Sequence, residues 1–156
     1  MSPSMTGDLE AIEAIKALKA RYFRCMDTKD WDGFAQVFAP DAVMDMRAEV
    51  PPTDDDPDAG LVTGNQAIAA FVESHVGPVV TVHHGHTPEI EITSSTTATG
   101  IWAMEDHLWW PEGGPLTTMH GYGHYRETYE LLNGEQGDGA WKIKTLTLTR
   151  LRIDIT

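Results

Sequence analysis

The sequence holds one cysteine, Cys25, among 156 residues. No internal disulfide can form, so the fold must rest on its apolar core, and the reducing cytoplasm is the expected location. No apolar run approaches the roughly 20 residues a membrane helix needs, so no membrane partner is expected. Residues 1–8 lack a basic region followed by an apolar stretch, so no secretory signal is read. Cations are scarce: 11 Lys and Arg stand against 24 Asp and Glu, a net charge of −13. Phosphate backbones are bound by clustered Lys and Arg, so nucleic acid is not expected as a partner. There is no Gly-rich phosphate loop, CxxC pair, HExxH motif or internal repeat. No metal is therefore assigned.

What is present is generous in large soft and aromatic side chains, with five Trp, seven Met and seven His. They suit an apolar cavity with a few polar points, and equally a well-filled core. The length suits one domain over residues 1–156 around one sizeable core, with residues 1–7 expected to be flexible.

Ile12, Ile15, Leu18, Tyr22, Cys25 and Met26 recur at spacings of three and four, which predicts a helix over 8–27 with Asp8 as its N-cap. A short second helix comes next, capped by Asp30, with Trp31, Phe34, Val37 and Phe38 on its apolar side and Pro40 ending it. Residues 41–47 alternate as a strand. Residues 49–61 form a loop rich in Pro and Asp, whose length suits a lid over a pocket. Asn65 opens a third helix that Gly77 and Pro78 stop. Strands are then predicted over 79–92, 97–110, 116–131 and 140–154, separated by turn clusters at 111–115 and 133–139. Helices succeeded by strands argue for an α+β fold. The expected architecture is three N-terminal helices packed on a strongly curved antiparallel sheet, a cystatin-like roll enclosing a cone-shaped cavity.

Several ionisable residues sit on these apolar elements. Burial and neighbours tune the pKa of a catalytic group, so such residues are candidates for proton transfer if they meet. Asp106 stands between tryptophans, and on alternation it shares a face with Trp102 and Met104. A buried carboxylate needs a partner. An imidazole would serve, since Asp fixes the His tautomer and leaves the other ring nitrogen basic; an Arg partner or exposure to water are the plainer readings. His83 and His84 are adjacent, so alternation lets one of them face a cavity. His86 lies close as well, yet the three make no metal set without further ligands. Tyr22 and Asp27 end the first helix. The Tyr22 hydroxyl suits a developing oxyanion, or simply a core position. His120, Tyr122 and His124 share one face, while Tyr125 points to the other, which Gly121 and Gly123 thin. Arg150 near a cavity would stabilise an anion; on a rim it would form an ion pair.

Over residues 8–154 the chain resembles a SnoaL-like domain of the nuclear transport factor 2-like superfamily. The resemblance rests on the run from Arg21 through Tyr22 and Asp27 to Phe34, and on Val37-Phe38-Ala39-Pro40-Asp41-Ala42. It rests also on Val82-His83-His84, the run from Ala98 through Trp102 to Asp106, Gly123-His124-Tyr125, Trp141-Lys142-Ile143 and Thr149-Arg150-Leu151. It implies a cofactor-free site in a cone, in a homodimer or homotrimer. The pattern is similar to bile-acid dehydratases and, more distantly, to scytalone dehydratases. Carried over, it makes Tyr22, Asp27, His83, Asp106 and Arg150 catalytic, with His84 as the other candidate base. His84, Trp102, Met104, Tyr122 and His124 would contact substrate. The function so implied is a cofactor-independent, dehydratase-like lyase in which a His83–Asp106 dyad removes a proton from a hydrophobic cyclic or aromatic small molecule. An isomerase or cyclase, a carbon–carbon lyase on aryl compounds, and a non-catalytic binding or assembly subunit are the alternatives, because reaction is not dictated by fold.

Overall fold

Apolar spacing and helix-terminating residues divide the N-terminal half into three helices. The computed structural model describes residues 5–133 and 139–156. Helix α1 (Met5–Asp27) buries Ile15, Leu18, Lys19, Tyr22, Cys25 and Met26. It starts ahead of Asp8, which therefore stands in the first turn, where a carboxylate complements the helix dipole, rather than at the N-cap. Of the segment expected to be flexible, residues 5–7 belong to this helix and residues 1–4 lie outside the described residues. Lys29 takes a left-handed conformation (φ 62°) that turns the chain out of α1. Asp30 then caps α2 (Trp31–Gln36) by accepting the Gly33 amide at 2.9 Å.

Strand β1 (Phe38–Asp45) begins almost at once, so Pro40 lies inside a strand instead of ending a helix. It is tolerated because the β1 ladder is interrupted between Phe38 and Val43, where no amide donor is required. The end of the expected loop pairs as a three-residue strand, β2 (Leu61–Thr63), too short to show a period in sequence. Helix α3 (Asn65–Val76) and the long strands β3 (Val80–Ile92), β4 (Thr97–Trp109), β5 (Thr118–Leu132) and β6 (Ala140–Ile155) complete the fold. The turn cluster expected before β6 falls largely at residues 134–138, outside the described residues. No helix among the described residues is long and apolar enough to cross a membrane.

The six strands form one sheet in the order β2-β1-β6-β5-β4-β3. All pairings are antiparallel except β1 with β6, which is parallel, so the expected antiparallel sheet is in fact mixed. Parallel partners from opposite ends of a chain leave no local signal. Register breaks within β3–β4 and twice within β5–β6 mark irregularities of the kind that bend a sheet. The inner face carries Trp102, Met104, Asp106 and Leu108 of β4, and Tyr125, Glu127 and Tyr129 of β5, all buried.

Deep in this core lies an ion pair. Lys19 of α1 donates to Glu127 Oε1, and neither side chain is exposed. The second Glu127 oxygen accepts from the Tyr129 hydroxyl at 2.5 Å, and Tyr129 accepts from the Trp102 indole at 2.9 Å. The ammonium also lies 3.6 Å from the Tyr22 ring centroid and 3.7 Å from that of Tyr125. Burial lowers the Lys19 pKa to about 8, with Glu127 opposing the shift. Removing one partner strands a buried charge, whereas removing both need not. Lys19→Met is therefore expected to cost about 3–5 kcal/mol in urea unfolding, and Lys19→Met with Glu127→Leu to recover most of that loss.

Candidate active site

Helices α1 and α3, strand β1 and the inner face of β3–β6 enclose a cavity of about 250 Å³. Met26, Met44, Phe71, Val72, Leu108 and Leu148 give it apolar walls, while Tyr22, His83, Asp106, Tyr125 and Arg150 supply its polar points.

The base of this arrangement is the C-terminus of α1. Asp27 is its last residue, where the side chain can bend toward the sheet. Its Oδ2 accepts the His83 amide at 2.9 Å, and its Oδ1 accepts the Thr81 hydroxyl at 2.8 Å. The same Oδ1 lies 2.7 Å from His83 Nδ1. An ionised carboxylate only accepts, so Nδ1 carries a proton toward it, and in the neutral ring Nε2 keeps its lone pair.

Nε2 lies 3.7 Å from Asp106 Oδ2, beyond hydrogen-bond reach. Asp106 is taken up by a forked pair with Arg150, Nη1 to Oδ1 at 2.7 Å and Nη2 to Oδ2 at 3.0 Å. Arg150 Nε donates in turn to Glu49 at 2.7 Å. Burial opposes the Arg150 charge, but its bonds to Asp106 and Glu49 outweigh burial and hold its pKa above the ordinary value. The expectation that Asp106 orients His83 is thus corrected. Strand register sets the two side by side, yet the guanidinium fork occupies both Asp106 oxygens, and Asp27 holds the ring.

Tyr22 packs edge-on against Tyr125, with centroids 5.6 Å apart. Burial raises both hydroxyl pKa values.

Tyr22, His83, Asp106 and Arg150 therefore border one cavity, with Asp27 behind the imidazole. The expected substrate contacts do not join them. His84, Tyr122 and His124 alternate onto the outer face of the sheet. His84 is 59% exposed there, and the Tyr122 hydroxyl bonds His120. Trp102 is held in the core by Tyr129, and Met104 lies under Arg150, its sulfur 3.7 Å from Nη1. Sequence reading missed Tyr125 as a wall, although alternation already placed it opposite Tyr122. It missed Glu49 and Thr81 entirely. Of the expected lid, its first residues Glu49 and Val50 border the cavity.

A profile of the SnoaL-like domain family matches residues 7–147. A protein named a probable cyclase, FGR4, from Gibberella zeae is 26% identical over 153 residues, covering 91% of this chain and 92% of that protein. A structure named as a candidate scytalone dehydratase from Novosphingobium aromaticivorans superposes with a TM-score of 0.79 at 21% identity, covering 97% of this chain and 91% of that one. The hexachlorocyclohexane dehydrochlorinase LinA-type3 from Novosphingobium barchaimii gives a TM-score of 0.79 at 19% identity, covering 98% and 94%. At such identities the structures show a shared fold.

Asp106 stands opposite Gly121 in the ladder, and a Cβ at Gly121 would collide with Arg150 Nη1 and Asp106 Oδ1. Gly121→Ala should therefore break the fork and cost about 1–3 kcal/mol, measured by urea unfolding, whereas an alanine at exposed Gly113 in the 111–115 turn meets nothing within 4 Å and disturbs only its own positive φ.

Proposed function

This chain belongs to the SnoaL-like domain family, with the nuclear transport factor 2-like fold, and from that premise we propose that it is an acid–base lyase or isomerase. It would act on a hydrophobic cyclic or aromatic small molecule, using side chains alone. The observation that carries the reading is the His83 imidazole, with Nδ1 held by Asp27 and Nε2 free at the wall of an apolar cavity. The proteins it resembles are named for cyclisation, dehydration and dehydrochlorination. The cavity lies at the small end of ligand sites, which suits one or two rings.

In this reading His83 Nε2 takes a proton from a carbon next to a carbonyl or a leaving group. Asp27 accepts from Nδ1–H and stabilises the imidazolium so formed. The Tyr22 hydroxyl, which borders the cavity, donates to the oxyanion that develops on the substrate. In an elimination the electron pair of the C–H bond becomes the new double bond, the neighbouring C–O bond breaks, and the imidazolium protonates the departing hydroxyl to water. In an isomerisation it returns the proton to another carbon. Arg150 and Asp106 form the polar wall beside the base. Both routes share the proton abstraction, so the dehydratase and isomerase readings differ only in the fate of the carbanion.

The test is to incubate the protein with a panel of mono- and bicyclic β-hydroxy ketones in deuterated water, monitoring enone absorbance and deuterium incorporation by NMR. His83→Ala should lower turnover by about 10²–10⁴-fold. Asp27→Asn should match it, because an amide in that place favours the wrong imidazole tautomer. His84→Ala, on the outer face, should leave turnover near normal. Undiminished turnover in His83→Ala would sink the reading, and no turnover by the parent on any member of the panel would favour a binding or assembly subunit. Separately, Tyr22→Phe should reduce kcat by about 10²–10³-fold, the usual cost of losing one oxyanion donor, with KM little changed.

A further inference from the structure

The outer face of the sheet carries a second cluster of ionisable groups. Strand alternation that turns Asp106 inward turns Glu105 and His107 outward, and it turns His120 outward on β5. His107 and His120 are direct cross-strand partners. Their ring centroids lie 3.4 Å apart with planes at 71°. The Nε2 atoms of both rings are buried and have no hydrogen-bond partner among the described residues. Buried polar atoms are nearly always satisfied, so two such nitrogens side by side need an explanation.

We propose that Glu105, His107 and His120 form a binding site for one divalent transition-metal ion of the zinc class. One ligand atom from each residue lies within 4.8 Å of the other two. A tetrahedral zinc site with bonds of about 2.0–2.1 Å needs them somewhat closer, a distance that side-chain rotation covers. A proton shared between the rings would join the two nitrogens but leave the Glu105 carboxylate out, whereas a single cation takes both nitrogens and the carboxylate as ligands. The Tyr122 hydroxyl bonds His120 Nδ1 at 3.1 Å, which orients the ring and leaves Nε2 as the ligating atom. Two imidazoles and one carboxylate, with no thiolate, select zinc, cobalt or nickel over calcium or magnesium. Three protein ligands leave the fourth position to water. A depression bordered by His107, Trp109, His120 and Asp154 lies beside the two rings. His86 Nε2 stands 3.5 Å from the other Glu105 oxygen and steadies the carboxylate from the far side. The site shares no side chain with the cavity.

Tag-free protein stripped with EDTA should bind one Co²⁺ per chain, with the visible bands of a tetrahedral nitrogen and oxygen site, and one Zn²⁺ per chain by isothermal titration calorimetry. His107→Ala and His120→Ala should each abolish stoichiometric binding. Glu105→Gln, which keeps the side-chain shape, should weaken it. Tyr122→Phe should lower affinity by about 10–100-fold, the range for loss of a group that orients a ligand. His124→Ala on the same face and His83→Ala in the cavity should bind as the parent does. Circular dichroism of the metal-free variants checks that each is folded. Absence of a one-to-one complex in the parent overturns the proposal. So does undiminished binding in both His107→Ala and His120→Ala, as from a site on His84 and His86.

Discussion

One carboxylate joins the helical layer to the sheet at the point where chemistry is expected. Asp27 accepts from the Thr81 hydroxyl and the His83 amide and meets the His83 ring, so a single side chain docks the end of α1 on the start of edge strand β3. The docking and the tautomer are one interaction. If the helix end shifted, the imidazole would lose its orienting group together with its backbone anchor. The candidate base is therefore held by elements rather than by a loop, which is the arrangement that preserves geometry best.

Two charge networks frame this joint, and they solve the burial problem differently. Beneath the cavity, Lys19 and Glu127 are wholly enclosed, and Glu127 is completed by Tyr129 and Trp102. The ammonium lies against the rings of Tyr22 and Tyr125 and so supports the floor on which the Tyr22 hydroxyl stands. Beside the cavity, Arg150 is shared between Asp106 and Glu49 and remains accessible from the interior. The fork needs the space left by Gly121, where any Cβ would strike it. The small residue on β5 is thus a condition for the charged pair across from it on β4 and β6.

Period-two alternation divides the chemistry of the sheet between its faces. His83, Asp106 and Gly121 face the helices, whereas their chain neighbours His84, Glu105, His107 and His120 face outward. A one-residue slip of β4 would exchange the two sets, placing Glu105 and His107 in the cavity. The register is set by inward Trp102, Met104 and Leu108, whose burial fixes which way the strand can lie. The same apolar residues that build the core therefore assign each histidine to a face.

Much of this was legible in one dimension. Helical spacing located α1 and α3, alternation located β3 to β6 within a few residues, and the motif blocks pointed to the fold and to Tyr22, Asp27, His83, Asp106 and Arg150. Alternation also required that only one of His83 and His84 face inward. It could not say which, because that depends on register against β4. Alternation put Tyr122 and His124 on one face of β5 and Tyr125 on the other, and only the packing of the sheet shows that the Tyr125 face is the inward one. The pairing of side chains was not legible at all. Asp27 and Asp106 are both acids near His83 in space, and nothing in their order says that one meets the ring while the other meets Arg150. Nor does it say that β1 runs parallel to β6, or that His107 meets His120. Composition and periodicity determined the elements and the apolar residues they bury, though not the buried Lys19 and Glu127, since those apolar faces depend on local geometry and the transfer of apolar groups from water. Partner choice was decided by the tertiary structure alone, because it depends on where a helix ends against a strand and on how strands slide into register.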